Sequence, residues 1–220
     1  MGLFNFNKKE APVSTPVTAS DILDTINMRS IDLPQPKEHR SFDWVLYGQH
    51  NSFPLELLEY KNSSSIHSAI IESKTSLIAG KGFVFGKDRE ESDQFIIDNW
   101  KIVPFWRKLD KVFANVTKDQ QIFGYSCFEV IYSMDHTRIV DINWVDASRI
   151  ASGKMDEYGK VSSYWYCADW RNTRKNPPRE IHAYDPNEQN TRQLMFIQYE
   201  ENNMDYYSLP NYYSALRWIK

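Results

Sequence analysis

The sequence predicts an α+β fold in which a helical N-terminal half is followed by antiparallel β-hairpins. Between residues 54 and 123, apolar side chains recur at helical spacing, and the runs end at glycines or polar clusters. Between residues 126 and 199, apolar and polar residues alternate in short segments separated by polar turns. Such turns are too short for crossover helices, so a doubly wound parallel sheet is not expected.

Two regions are predicted: a polar N-terminal arm over residues 1–41 and an α+β domain over residues 42–220. The arm is interrupted by prolines at Pro12, Pro16, Pro34 and Pro36. Within it, only a short helix capped by Ser20 is expected. We therefore expect the arm to lack a packed core of its own.

The first two helices are predicted from their start and stop signals. Ser52 is the expected N-cap of a helix that continues from Pro54 to Tyr60, because proline is tolerated in a first helical turn. A second helix follows the polar break 62–65 and ends at Gly80 and Gly82. Its predicted buried stripe consists of Ile66, Ile70 and Leu77.

A short strand over 83–85 and a helix over 93–100, capped by Ser92, come next. Pro104 then opens the longest helix, which Gly124 ends. One face of that helix is predicted to be buried through Phe105, Leu109, Val112, Val116 and Phe123.

Three hairpins are predicted after Gly124. They pair 126–132 with 139–145, 149–155 with 161–167, and 180–184 with 193–199. A last helical segment starts at Tyr212 and shows no stop signal before Lys220. We therefore expect the natural protein to continue beyond Lys220.

Charge and cysteine usage restrict the functional classes. The chain has 26 basic and 29 acidic residues, which give a net charge of -3. This balance argues against sequence-independent DNA binding, although it allows a ring through which DNA passes without being gripped. Cys127 and Cys167 form no CxxC pair and are expected to be buried free thiols. No targeting peptide and no membrane-spanning segment is predicted.

No catalytic or metal-binding signature is found. No two of the five histidines lie three to five residues apart, and His67 is interpreted as a polar boundary residue. Glu129 is predicted to point to a solvated face of its strand. The run Gly80–Lys81–Gly82 lacks the spacing and the strand–loop–helix order of a phosphate-binding loop. We therefore expect no catalytic residue, metal ligand or cofactor. The basic cluster Arg171, Arg174 and Lys175 with Arg179 is interpreted as an exposed loop, and contact with DNA or with an acidic neighbour is the alternative interpretation.

Several short segments along 42–220 carry motif residues. In chain order these residues are Trp44, Tyr47, Gly48, Asn51, Pro54, His67, Gly80, Gly82, Gly124, Glu129, Asp146, Arg149, Asp169, Trp170 and Pro210. The segments that contain them resemble, in this order, the portal proteins of tailed bacteriophages and prophages. No single segment is specific, and the order of the segments carries the resemblance.

The resemblance implies a non-enzymatic structural protein of the virion, whose domain over 42–220 is the wing of the portal. Portal proteins form a dodecameric homo-oligomer at one capsid vertex and assemble in the host cytoplasm. The implied partners are the major capsid protein, the terminase large subunit, a head-tail adaptor and the double-stranded DNA that passes through the channel; no membrane is involved. The stem and clip, which line the channel and bind the motor, come later in the family.

Two alternatives remain open at this point. One is another head-tail connector protein. The other is a phage hydrolase or nucleotide-modifying enzyme that uses Glu129 with Asp135 or Asp141 as its acid pair. An enzyme predicts a deep pocket with at least two ionisable groups of perturbed pKa, whereas a portal predicts broad contact surfaces.

Overall fold

The structure is a computed structural model, and it describes residues 34–36, 38–80, 82, 103–199 and 205–216. The elements predicted at 20–24, 83–85 and 93–100 and the end of the helical segment at 217–220 lie outside the described residues. The mixed α+β class predicted from the sequence is confirmed, and the helical part precedes most of the sheet.

Three α-helices occur in the described residues: α1 (Ser52–Ser63), α2 (Ser65–Ala79) and α3 (Val103–Phe123). The side chain of Ser64 caps α2 by accepting a hydrogen bond from the amide of His67 at 3.3 Å. The predicted N-cap of α1 was wrong by one residue. Asn51 holds that position, and its side chain binds distant backbone groups instead of capping the helix.

The predicted buried stripe of α2 was also wrong. Ile66, Ile70 and Leu77 are exposed, whereas the buried residues of α2 are His67, Ile71, Thr75 and Ala79. The helix is apolar on two sides, so hydrophobic periodicity alone could not decide which side is buried. Packing decides it: α2 contacts α3, and His67 packs against the ring of Tyr212.

Seven strands of the described residues form one sheet in the order β1-β4-β5-β6-β7-β2-β3. Their bounds are β1 (Trp44–Val45), β2 (Tyr125–Tyr132), β3 (Ile139–Val145), β4 (Ile150–Gly153), β5 (Ser163–Tyr166), β6 (Arg179–Ala183) and β7 (Arg192–Gln198). The hairpins β2–β3 and β4–β5 are antiparallel, as predicted.

The third predicted hairpin was wrong, because β6 and β7 run parallel. His182 pairs with Gln193 and Ala183 with Leu194. The loop between the two strands therefore places the start of β7 beside the end of β6, with both strands running in the same direction. The side chain of Gln193 fixes this loop by accepting a hydrogen bond from Asp185 N at 3.1 Å and donating one to Glu188 O at 3.2 Å.

The sheet curls, and its connectivity requires this. The four residues Asp146–Arg149 link β3 to β4, although β3 lies at one edge of the sheet and β4 near the other. An open flat sheet cannot be bridged by so short a link, because each residue spans at most about 3.6 Å. The edges of the sheet are therefore brought towards each other, as in a partly closed barrel.

The inside of the curl is filled by aromatic side chains. The rings of Tyr125 and Tyr164 stack on the ring of Phe196, with centroids 5.3 Å and 4.9 Å away. Tyr207 contacts Phe196 and reaches β1 and β4 with its hydroxyl group. On the other face of the sheet, α3 contacts β2 and β3. Aromatic side chains thus fill the inside of the curl, α3 covers β2 and β3 on the outside, and α1 and α2 pack against α3.

Candidate functional site

Asn51 joins the loop before α1 to the link between β3 and β4. Its side-chain nitrogen donates hydrogen bonds to Ser148 O at 2.9 Å and Ile150 O at 3.4 Å, and its side-chain oxygen accepts one from Tyr47 N at 3.1 Å. The residue is buried and has a left-handed backbone with φ of 57°. Asparagine tolerates this conformation better than most residues, so both its backbone and its side chain suit the position.

The segment 205–210 crosses the inside of the curl and is tied to the sheet by tyrosines. The hydroxyl group of Tyr207 donates to Val45 O at 2.6 Å and accepts from Ser152 N at 2.8 Å. The hydroxyl group of Tyr206 accepts from Met155 N at 3.2 Å and donates to Glu38. Burial raises the pKa of both phenols, so both remain neutral donors at ordinary pH.

Gly124 allows the same segment to approach the end of α3. Its carbonyl oxygen accepts hydrogen bonds from Ser208 Oγ at 2.6 Å and Gln120 Nε2 at 3.0 Å. Its φ is +84°, and a Cβ atom at this position would lie 2.4 Å from the backbone of Leu209. Glycine is required here both for the backbone conformation and for the close approach.

The other motif residues near the link between β3 and β4 have local roles. Asp146 and Asp169 cap short helical turns, and Trp44 and Trp170 pack together. Asp146 accepts a hydrogen bond from Ser148 N at 3.0 Å and pairs with Arg149 at 3.3 Å. Trp170 Nε1 donates to Arg149 O at 3.0 Å, and Asp169 accepts from Arg171 N at 3.0 Å. The ring of Trp44 lies 5.9 Å from that of Trp170.

We call this region the junction; its residues are Val45, Tyr47, Asn51, Gly124, Asp146, Ser148, Arg149, Ile150, Ser152, Trp170, Tyr206, Tyr207, Ser208 and Leu209. Five stretches of the chain meet here: 44–51, 120–126, 146–152, 169–170 and 205–210. The structure brings together residues from most of the motif segments, and many of them bind backbone groups of neighbouring segments. Asp146 and Arg149 also line the groove described below.

Other predicted motif residues lie elsewhere. Gly48 has a φ of +81°, and Pro54 is buried in the first turn of α1. Gly82, with a φ of +62°, is the left-handed residue that follows α2, whereas Gly80 keeps a helical conformation. Pro210 is buried at the end of the segment 205–210, next to Gly124.

His67 is more buried than predicted. Its ring packs edge-on against that of Tyr212, with centroids 4.3 Å apart, and its Nε2 atom has no hydrogen-bond partner within the described parts of the chain. Burial, and to a lesser extent the nearby Lys61, lowers the pKa of His67. The imidazole is therefore neutral at neutral pH.

An open groove of about 770 Å³ is lined by residues of β2, β3, β5 and β6 and by the start of β7. Its charged and polar walls include Glu129, Arg149, Tyr166, Arg179, His182 and Arg192. The prediction of a solvated Glu129 was wrong, because its side chain is only 13% exposed and pairs with Arg192 at 3.3 Å. α3 lies against β2 and β3, and Glu129 lines the groove.

The acid pair of the enzyme alternative does not share this groove. Asp135 lies exposed in the β2–β3 turn, where hydrogen bonds from Ser133 and Thr137 lower its pKa to about 2. Asp141 accepts a hydrogen bond from Lys108 Nζ at 2.6 Å, which lowers the pKa of Asp141. Neither aspartate lines the groove that contains Glu129.

Asp119, the buried acid of α3, was not predicted, because no signal in the sequence marks it. Its side chain accepts hydrogen bonds from Trp144 Nε1 at 2.8 Å and Ala147 N at 3.4 Å. Burial raises the pKa of Asp119 to about 7, against the opposing effect of these two donors. The acid fastens α3 to β3 and to the link that follows it.

Cys127 and Cys167 are buried free thiols, as predicted. Burial raises the pKa of both, which makes them poor nucleophiles. Among the described residues, no three His, Cys, Asp or Glu side chains are grouped so that they could hold a metal ion. None of the described helices is long and apolar enough to cross a membrane.

No protein-family model matches this chain, and no curated protein is significantly similar to it.

Proposed function

We propose that this chain is the wing portion of a portal protein of a tailed phage or prophage. One observation carries the proposal: most of the segments on which the resemblance depends meet at the junction. A family pattern that specifies a fold should consist of residues that hold distant segments together, and Asn51, Gly124 and Tyr207 do this. The wing-like character of the α+β domain is part of the same proposal.

In this proposal the protein acts as a structural element and not as an enzyme. It assembles as a dodecameric ring at one capsid vertex, with the major capsid protein, the terminase large subunit and a head-tail adaptor as neighbours. Double-stranded DNA passes through the ring, while the motor supplies the chemical energy. The separation of Glu129, Asp135 and Asp141 favours this function over the hydrolase.

The copy number in virions tests the proposal. Particles of the phage that encodes the chain would be purified, and the ratio of this protein to the major capsid protein measured by quantitative mass spectrometry. We expect one dodecamer per particle and antibody labelling at a single vertex. Absence from particles, or labelling spread over the whole capsid, would overturn the proposal. A different copy number at the same vertex would indicate another head-tail connector.

A further inference from the structure

The groove lies at a place where the sheet is incomplete. β6 pairs with β7 only through His182–Gln193 and Ala183–Leu194. The first three residues of β6, 179–181, therefore have no partner strand on that side within the described ranges. Residues 179–182 and residues 190–192, which lead into β7, all line the groove. The groove thus occupies the space where β6 and β7 separate.

The free edge of β6 offers unpaired backbone groups. Ala183 N donates to Ser162 O, directly before β5, at 2.9 Å. Tyr184 N instead donates to Leu194 O of β7, also at 2.9 Å. Because successive residues of a strand point their backbone groups to alternate sides, those of Glu180 point away from β5, as those of Tyr184 do. No backbone group of the described residues pairs with them, and an open edge of this kind accepts an extended peptide.

Three arginines line the same groove. Arg179 is opposite Tyr166 in the β5–β6 ladder, and its guanidinium carbon lies 6.0 Å from the centre of the Tyr166 ring. Arg149 Nη1 donates to Tyr166 Oη at 3.4 Å, so two guanidinium groups converge on one phenol. Arg192, at the start of β7, is the third. Together they provide several N–H donors with the fork geometry that suits carboxylates.

The acids on this side of the groove leave one arginine unpaired. Asp146 pairs with Arg149 and Glu129 pairs with Arg192, each at 3.3 Å. Among the described residues, no carboxylate pairs with Arg179. The face of β6 that carries Arg179 therefore has one positive charge in excess.

Glu180 also lines the groove, but its side chain lies on the other face of β6. It is opposite Trp165 in the ladder, whereas Arg179 is opposite Tyr166, and successive side chains of a strand point to opposite faces. Trp165 packs against the cluster that contains Trp170, away from the aromatic side chains inside the curl. Glu180 therefore does not neutralise Arg179.

Two further acids are each one hydrogen bond away from the groove. Asp141 accepts a hydrogen bond from the groove-lining Asn143 at 3.4 Å and pairs with Lys108 at 2.6 Å. Glu188 accepts one from the groove-lining Asn190 at 2.9 Å. Neither carboxylate lines the groove itself.

The loop between β5 and β6 adds further positive charge. It starts directly after Tyr166 and ends directly before Arg179, and it carries three cations, Arg171, Arg174 and Lys175, but one acid, Asp169. No ion pair within the described parts of the chain engages these three cations. The side of the groove formed by β5 and β6 is therefore positive, although the whole chain has a net charge of -3.

We infer that the groove binds an extended, acidic segment of a partner protein. The segment adds to the free edge of β6 and places its carboxylates against Arg149, Arg179 and Arg192. Nucleic acid also binds arginines, but it has no peptide groups to pair with the backbone of Glu180, which favours a peptide. The inference goes beyond the proposed function and does not rest on it, because the binding is measured on the chain alone.

A fluorescein-labelled hexapeptide of alternating valine and glutamate is the probe, because alternation places all its carboxylates on one face of an added strand. Binding to the full chain is measured by fluorescence anisotropy in about 0.15 M salt, where long-range attraction between exposed charges is screened. The same hexapeptide with every peptide nitrogen methylated keeps the charge but loses the N–H groups. A labelled single-stranded hexathymidylate is the nucleic-acid probe.

Arg179→Gln should weaken binding of the unmethylated hexapeptide about tenfold, which corresponds to about 1.4 kcal/mol. Arg174→Gln is the matched control, because it makes the same change of charge at an exposed residue that does not line the groove. The control should change the affinity by less than about twofold, since an exposed charge contributes little at this salt concentration. Both variants should fold normally, as checked by circular dichroism, because both side chains are exposed.

Equal weakening by the two substitutions would overturn the inference, because binding would then follow overall charge. Absence of saturable binding, or equally tight binding of the methylated peptide, would also refute it. Tighter binding of hexathymidylate than of the hexapeptide would identify a nucleic-acid surface instead. Self-association of the chain that Arg179→Gln abolishes and Arg174→Gln does not, measured by sedimentation, would show that a second copy fills the groove, and the inference would be wrong.

Discussion

The hydroxyl group of Tyr207 donates a hydrogen bond to the carbonyl oxygen of Val45 at 2.6 Å. It also accepts one from Ser152 N at 2.8 Å, so a single buried atom joins β1 to β4. The ring of Tyr207 stacks on that of Tyr47 with centroids 4.9 Å apart. The segment 205–210 is therefore part of the core and not an appendage of it.

Tyr207→Phe should lower the free energy of unfolding by about 1–3 kcal/mol, because Val45 O and Ser152 N lose a buried partner while the ring packing is retained. Urea unfolding followed by circular dichroism measures this loss. Tyr158→Phe, at an exposed turn, is the control and should change stability by less than about 0.5 kcal/mol. Equal stability of the two variants would contradict the assigned hydrogen bonds.

Gly124→Ala should be among the most destabilising single substitutions in the chain. The new Cβ atom would lie 2.4 Å from the backbone of Leu209, in addition to the strain of a φ of +84°. Gly159→Ala is a close control, because Gly159 has a φ of +76° but a Cβ atom placed there would meet no atom within 4 Å. We expect about 1 kcal/mol for the control and at least about 3 kcal/mol for Gly124→Ala, measured by thermal unfolding. Similar losses at both positions would show that the contact with Leu209 costs nothing.

Asp119→Asn should change the pH dependence of stability. The pKa of Asp119 is about 7 in the folded state and near 3.8 when unfolded, so between these values the folded state binds the extra proton. The contribution of Asp119 to stability therefore falls as pH rises towards 7 and is constant above it, with a slope of at most about 1.4 kcal/mol per pH unit.

The Asp119→Asn variant keeps an oxygen for Trp144 Nε1 but has no proton to lose. Its stability relative to the unsubstituted chain should therefore increase between about pH 4 and about pH 7 and then level off. This difference isolates Asp119 from His67, whose lowered pKa makes stability rise with pH in the same range. Unfolding by urea across this pH range is the measurement. A difference independent of pH would show that Asp119 stays ionised when folded.

Glu129→Gln should leave assembly intact, because Glu129 pairs with Arg192 at 3.3 Å and is proposed to perform no acid-base chemistry. The loss of a partly exposed ion pair costs about 1 kcal/mol or less. Sedimentation and negative-stain electron microscopy measure the assembly. Loss of biological function in a variant that folds and assembles normally would support the enzyme alternative.

Local signals in the sequence predicted much of the secondary structure. Pro54, the polar break before Ser65, Pro104 and Gly124 fix where helices begin or end, because each acts through its own backbone. The turns of the β2–β3 and β4–β5 hairpins were recognised for the same reason. Such features require no knowledge of the rest of the chain.

The features that were missed from the sequence depend on distant partners. The buried side of α2 is chosen by α3 and Tyr212, although Ile66 and Ile70 are more apolar than His67 and Thr75. The parallel pairing of β6 with β7 depends on how Gln193 holds the loop between them. In the sequence, Asp119 looks like an ordinary charged residue on the polar face of a helix. Its burial depends on Trp144, which is distant in sequence and donates a hydrogen bond to it. Periodicity contains no information about such pairs.

The strand order also has a consequence for biosynthesis. Trp44 of β1 pairs with Gly153, and Tyr125 of β2 pairs with Gln198, so the sheet has a high contact order. Ribosomes add about 5–20 residues per second, and a β-rich topology with distant pairings folds slowly. The nascent chain therefore presents its helices for some seconds before Tyr207 leaves the ribosome and closes the core. We expect a need for chaperones during synthesis that becomes much weaker once Tyr207 has emerged from the ribosome.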